Sequence, residues 1–302
     1  MDGSTSTLPI ERIVACKILD AFYEWRHSAA DDTRSVEASD NYDYFMTPGY
    51  KGEKKELCNF INRITKHAGT HESYVKLIQG KADLILVARG PSEDELALAK
   101  KSQVELEPAP IALDGFVFLI NAKNPVQALT LEQIREIYSG KVRNWKDFGG
   151  MNVRIQAYQR SRNSGSQETM KQLVMNGRSM ISGPDVLVET LMSMTVLRIG
   201  EDQSGIAYSF YYYQELMADY AGVRACAING VSPTAETIRN RTYPLVTEVF
   251  AVTRRDSAAD HSARRLRDWL LTPAGQQVIA ETEYVPLTDI KPAAEVGNQE
   301  NR

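Results

Sequence analysis

Tyr158-Gln159-Arg160-Ser161-Arg162-Asn163-Ser164-Gly165-Ser166 is followed at once by a helix-like stretch, residues 167–175. A guanidinium, several hydroxyls and a glycine-loosened backbone therefore share the first turn of a helix. Such a turn has unpaired N–H groups and the positive end of the helix dipole, so it favours an anion. Arg160 adds a planar donor fork that matches the geometry of oxyanion oxygens. Arg-x-x-x-Ser-Gly-Ser alone says little, because many helices start at Ser-Gly. Its weight comes from two similar turns elsewhere in the chain.

The first is Asp2-Gly3-Ser4-Thr5-Ser6-Thr7-Leu8-Pro9, after which Ile10, Ile13, Val14, Ile18, Leu19 and Phe22 recur at helical spacing. Four hydroxyl residues ahead of a proline make a capping region with donors to spare. The second is Gly69-Thr70-His71-Glu72-Ser73, ahead of Tyr74, Leu77 and Ile78. Ordinary N-capping would account for any one of these turns. Three in one chain, one of them carrying arginine, suggest a single oxyanion held between helix ends.

Composition frames that reading. A chain of 302 residues can build two lobes with substantial cores, and 25% charged with 43% apolar residues is ordinary for a soluble globular protein. The net charge of −4 argues against a nucleic-acid partner, which usually requires a basic face. Any anion site must then rest on local dipoles and one or two arginines. Cys16, Cys58 and Cys226 are odd in number and widely spaced, so neither a disulfide framework nor a zinc pattern follows. Cys16, in an apolar helical stretch, reads as a small core residue. His67 and His71 are separated by the Gly69-Thr70 turn, which argues against a shared metal-binding face; no metal or cofactor is expected. His71 in the cap can still meet a ligand as a neutral acceptor. No run approaches the length of a membrane span. Met1 stands directly before the Asp2-Gly3-Ser4 turn, where a feeding strand would normally lie. The expectation is an export segment removed close to this point, with a cytoplasmic protein as the other possibility.

Strands and helices alternate along the chain, which predicts α/β architecture with mostly parallel sheets. Helices are expected over residues 9–26, 53–66, 71–79 and 264–281. Ser92-Glu93-Asp94-Glu95 carries a capping-box pattern for another helix, and Thr130 opens one that Ser139-Gly140 closes. Buried strands are expected over 82–88, 104–108, 111–120, 153–158, 205–210 and 243–253. The polar stretch 27–44 reads as a strand or loop excursion. Prolines at 108 and 110 resemble a crossing between lobes. With the late apolar strand at Tyr243, this predicts one lobe from residues 1–110 plus 244–302 and a second from 111–243.

A resemblance joins these observations. Gly3-Ser4-Thr5-Ser6-Thr7-Leu8-Pro9, the run Leu77-Ile78-Gln79-Gly80-Lys81-Ala82-Asp83, Ile137-Tyr138-Ser139-Gly140-Lys141-Val142-Arg143-Asn144-Trp145, Arg160 to Ser166 and Leu271-Thr272-Pro273-Ala274-Gly275-Gln276 stand in one order. Together they resemble the phosphate-binding receptor family of bacterial ABC uptake systems, over residues 3–287. The resemblance implies a two-lobed α/β periplasmic-binding-protein fold with two hinge crossings and ligand in the interlobe cleft. It implies inorganic phosphate or a similar oxyanion as ligand, a membrane permease of an ABC transporter as partner, a monomer, and an extracytoplasmic location. Carried over position by position, the first lobe would supply the Thr7 hydroxyl, the Leu8 N–H and the Thr70 hydroxyl, and Ser6 and His71 join them as candidates from the same two turns. The second would supply Arg160, Ser164, Gly165 and Ser166.

One position departs from the family pattern. Where phosphate specialists place a carboxylate that accepts the ligand's proton, this chain has Ala88, followed by Arg89. Without that carboxylate the usual discrimination against sulfate is missing. Arg89 is read either as added positive charge in the cleft or as an ion-pair partner of the acidic stretch Glu93 to Glu95. An oxyanion sensor of the same fold is the alternative function, since fold does not fix function. A phosphate-ester hydrolase is the less favoured one: Ser164 has no evident histidine base, and no nucleophile elbow or P-loop is present.

Overall fold

The computed structural model describes residues 1–27, 41–49, 55–183 and 186–288. The strand Asp2–Gly3 lies between Lys66–His67 and Ile85–Val87 and is parallel to both. Val246–Arg254 continues the sheet antiparallel to Ile85–Val87 and then pairs with the long strand Leu106–Asn121. The far end of that long strand pairs antiparallel with Gly205–Phe210 and with Val223–Ile228. Among the described residues this makes a nine-stranded mixed sheet. Helices cover the sheet, as expected where parallel strands need both faces buried.

Residues 111–121 of the long strand are all buried. Around them Phe116, Phe118, Tyr138, Tyr208 and Phe210 pack with ring centroids 5.5–6.3 Å apart. Tyr208 and Tyr212 are core residues at 1% exposure. On the other side, the helix Leu8–Ile18 buries Ile10, Ile13 and Val14 completely or nearly so. Each such side chain contributes roughly 1.5–3 kcal/mol. That anchoring fixes the turn at the helix start, which is the part that matters for function.

Several boundaries differ from the sequence expectation for local physical reasons. The first helix stops at Ile18 rather than near 26: Asp20 takes φ 49°, a left-handed conformation that ends it, and Tyr23–His27 is a strand paired with Asn41–Pro48. Most of the polar excursion 27–44 lies outside the described residues. The prolines at 108 and 110 do not split the strand, which runs unbroken from Leu106 to Asn121. Over this part its partner is Val246–Arg254, with a bulge between Val249 and Phe250, and strand prolines are tolerated at such edges and bulges. The expected helix 264–281 is two, Ser262–Leu270 and Pro273–Glu281, because Pro273 starts a new helix capped by Thr272. The tail beyond residue 288 lies outside the described residues.

Candidate functional site

Three chain turns converge on one cleft of about 510 Å³. The first follows Asp2–Gly3, where Ser4 to Thr7 feed the helix Leu8–Ile18 and Pro9 occupies its first turn. Gly3 has no room for a side chain: a Cβ would lie 2.1 Å from Glu11 Oε1 and 2.3 Å from the Leu86 carbonyl. The second is the start of Thr70–Ile78, entered through Gly69 at φ 88°. Neither of these helix starts has a side-chain cap, so their first N–H groups remain available. The third is Arg160 to Ser164 leading into Gly165–Thr169, where the Ser164 hydroxyl accepts from the Gln167 N–H and keeps its own proton to donate.

Serine and threonine hydroxyls tie the first two turns together. Ser4 Oγ accepts from the Ala88 N–H at 3.2 Å and lies 2.8 Å from Thr70 Oγ1. With its lone pair taken by Ala88, Ser4 can donate to Thr70, which leaves the Thr70 proton for the cleft. Ser6 is 1% exposed, and its hydroxyl has no protein partner.

Arg160 is buried at 7% exposure. Its Nη1 donates to Thr195 Oγ1 at 3.1 Å and its Nη2 to the Thr190 carbonyl at 3.0 Å, while Nε has no protein partner. Burial pushes the guanidinium below its ordinary value, yet arginine stays charged in proteins. Among the described residues no carboxylate is hydrogen-bonded to it, and Glu189 acts on this buried cation only through space. Ser166, at 0% exposure one residue into the helix, also has an unpartnered hydroxyl. Ser6 and Arg160 line the cleft, and Ser166 follows the cleft-lining Gly165, so buried donors free to meet an oxyanion stand at or next to it.

The sequence-derived candidates fall into groups. Ser6, Thr70, His71, Arg160, Ser164 and Gly165 line the cleft. Ser166 lies just behind it. The Thr7 hydroxyl is spent elsewhere: it donates to the Leu86 carbonyl at 2.6 Å and does not face the cleft, which corrects its expected role as a ligand donor. Leu8 is 4% exposed and does not line the cleft either. For Arg89 the structure shows the second of its two readings, the ion pair with the acidic stretch. Both terminal nitrogens donate to Glu95 at 2.8 Å, the pair is buried, and its charge is cancelled before it reaches the cleft. That guanidinium also lies 3.4 Å from the Asn163 carbonyl, on the opposite side of the cleft. Ala88, 1% exposed, packs in the core.

Sequence reasoning missed Thr190 and Thr195, which orient Arg160, and Leu191, Met192 and Phe210, which give the cleft an apolar wall. Nothing local marks them. Thr190 acts through its backbone carbonyl, which any residue could offer.

Hydroxyl and guanidinium donors from three chain turns thus share one cleft. The PBP superfamily domain matches residues 40–279, and the chain belongs to that superfamily. It is 23% identical over 237 residues to protein SphX of Synechococcus elongatus, covering 75% of this chain and 69% of SphX. It is 26% identical over 182 residues to the phosphate-binding protein PstS of Bacillus subtilis, covering 60% of this chain and 58%, under two thirds, of that relative. Among solved structures, a Clostridium perfringens protein with bound phosphate is similar at TM-score 0.66 and 20% identity, over 95% of this chain and 98% of that one. An ABC-type phosphate transport receptor from Vibrio cholerae is similar at TM-score 0.62 and 22% identity, over 94% and 98%. At these identities the structural likeness establishes the two-lobed α/β periplasmic-binding-protein fold.

Proposed function

We propose that the chain captures inorganic phosphate, or a closely related tetrahedral oxyanion, between its lobes and presents it to the membrane permease of an ABC transporter. The observation that supports this is the pair of unpartnered buried donors in the cleft lining, Ser6 Oγ and Arg160 Nε, with Ser166 Oγ one residue beyond the lining Gly165. The names of the relatives, a PstS and a phosphate transport receptor, point the same way. Residues 1–110 with 244–302 act as one lobe and 111–243 as the other, hinged where Leu106–Asn121 and the segment before Val246 pass between them. The ligand is held by Ser6, Thr70, His71, Arg160, Ser164, Gly165 and Ser166, with backbone N–H groups of the helix starts. The protein acts outside the cytoplasmic membrane, as a monomer, and performs no catalysis.

Titration calorimetry of protein stripped of anions tests the reading. One phosphate per chain is expected, with Arg160→Ala greatly weakened. Failure of phosphate, arsenate and sulfate all to bind would refute it. Hydrolysis of a generic phosphate ester would overturn the non-catalytic part alone.

A further inference from the structure

Telling phosphate from sulfate requires an acceptor, because a monoprotonated phosphate carries a P–OH where sulfate has a bare oxygen. Arginine and backbone N–H groups only donate. The hydroxyls of Ser6, Thr70 and Ser164 rotate and serve either kind of oxygen equally. Ala88 is turned into the core, the Thr190 carbonyl is taken by Arg160, and Glu72 is exposed to water at the rim. His71 remains.

His71 is the second residue of the helix Thr70–Ile78 and lines the cleft. Its Nδ1 lies 3.0 Å from Glu95 Oε1. Glu95 is 0% exposed. Burial alone would raise its carboxyl, but the hydrogen bonds and charge of Arg89, with the Ser92 N–H, hold it below its ordinary value. It is therefore a carboxylate, an acceptor only, and Nδ1 must carry the hydrogen between them. In a neutral imidazole the other nitrogen, Nε2, is then a lone-pair acceptor on the far side of the ring from Glu95. The carboxylate that fixes this tautomer is already neutralised by Arg89, so the cleft gains an acceptor without gaining a net negative charge.

Resting on the oxyanion reading above, we propose that His71 is the specificity-determining residue of the cleft. Its Nε2 accepts the proton of a monoprotonated tetrahedral oxyanion, so hydrogen phosphate and hydrogen arsenate are taken and sulfate is refused. The Ser92-x-x-Glu95 cap, the Arg89 pair and the histidine form one unit: Arg89 and Glu95 are positioning residues, and only His71 touches the ligand.

The experiment is competition calorimetry with phosphate and sulfate at about pH 8 on the wild type, His71→Ala and His71→Gln. The wild type should prefer phosphate. In His71→Ala the phosphate-to-sulfate affinity ratio should fall about tenfold or more, the worth of one hydrogen bond plus the relief of lone-pair repulsion toward sulfate. His71→Gln, whose amide oxygen can accept, should keep an intermediate ratio. In the phosphate-loaded wild type, nitrogen NMR should find His71 protonated at Nδ1 and accepting at Nε2. An unchanged ratio in His71→Ala, equal affinities in the wild type, or a proton resident on Nε2 would each overturn the proposal while leaving oxyanion capture standing. A wild type that binds neither anion would overturn the underlying reading instead.

Discussion

Gly165 meets Thr70 across the cleft more closely than any side chain would allow. An added Cβ would lie 2.5 Å from Thr70 Oγ1, against 3.4–4 Å for ordinary contact. Gly165→Ala must therefore open the lobes there by roughly 1 Å. The alternative is to swing the threonine hydroxyl away from its 2.8 Å contact with Ser4. Hydrogen bonds do not survive such a displacement, so an anion held by one lobe loses donors from the other. Losing one charge-assisted bond of about 1.5–3 kcal/mol raises Kd about ten- to a hundredfold. Calorimetry with phosphate reads the affinity, and stopped-flow dissociation should show the loss chiefly as a faster off-rate. Stability should hold or rise slightly, because alanine is the better helix residue. Adding Thr70→Ala removes Oγ1 and leaves the Thr70 Cβ at 3.5 Å, an ordinary contact. The double variant should then bind better than Gly165→Ala alone, a non-additive cycle. If Gly165→Ala binds phosphate as the wild type does, the lobes do not close on this contact and the reasoning fails.

Arg160→Ala should raise the phosphate Kd thirtyfold or more, from about 2–5 kcal/mol for a buried charge left unpaired; Arg160→Lys should recover only part, since the fork also holds the Thr190 carbonyl and Thr195. Ala88→Asp, which the family pattern suggests would sharpen selectivity, should instead lower the melting temperature, because Ala88 is buried in the core and a carboxylate there has no water; a stable variant with improved phosphate selectivity would contradict this placement. Asp114, inside the long strand, is pushed by burial to about 7 from 3.8, against the pull of the Tyr212 and Gly115 N–H groups. Stability is then fully present below the unfolded-state value and is lost as pH rises through about 7, so Asp114→Asn should gain up to roughly 4 kcal/mol at about pH 8 and almost nothing near pH 3; a melting-temperature gain that does not vary with pH would exclude this.

The parts of the site visible in the sequence are those where residue type and chain position must agree. Ser-Gly-Ser after Arg160, the hydroxyl run before Pro9, and Gly69-Thr70 are each legible because a helix start has a fixed set of open N–H groups. The Ser92-x-x-Glu95 box was legible for the same reason, and both of its hydrogen bonds are present. What Glu95 does with its other lone pairs was not. Its bonds to Arg89 and His71 span 6 and 24 residues of sequence and depend on how the loop after Ile85–Val87 folds back. The Thr7 hydroxyl was misassigned because an inward donor and a cleft-facing donor look identical in sequence; only the neighbouring strand, offering the Leu86 carbonyl, decides between them. The first helix was read too long because Phe22 and Tyr23 continue an apolar pattern. Tyr23 and Trp25 half-buried, with Glu24 and Arg26 exposed, is a period of two, and over so few residues the two periods compete.

On the proposed function, the pairing of Arg89 accounts for how a chain of net charge −4 would hold an anion selectively. Two free guanidiniums in the cleft would attract every dianion strongly, and the attraction would scale with charge rather than with protonation. With Arg89 bound to Glu95, Arg160 remains as the buried cation facing the ligand, and the other donors are hydroxyls and helix N–H groups, which select by geometry. The neutralised pair is still used: it reaches across to the Asn163 carbonyl, and at the surface Arg162 meets Asp94 at 3.1 Å. The exposed pair contributes little by itself. Together these contacts bring the two sides of the cleft together through neutral or cancelling charges, so closure does not raise the potential at the ligand. Discrimination is then left to hydrogen-bond direction, which is where a histidine with a fixed tautomer has its effect.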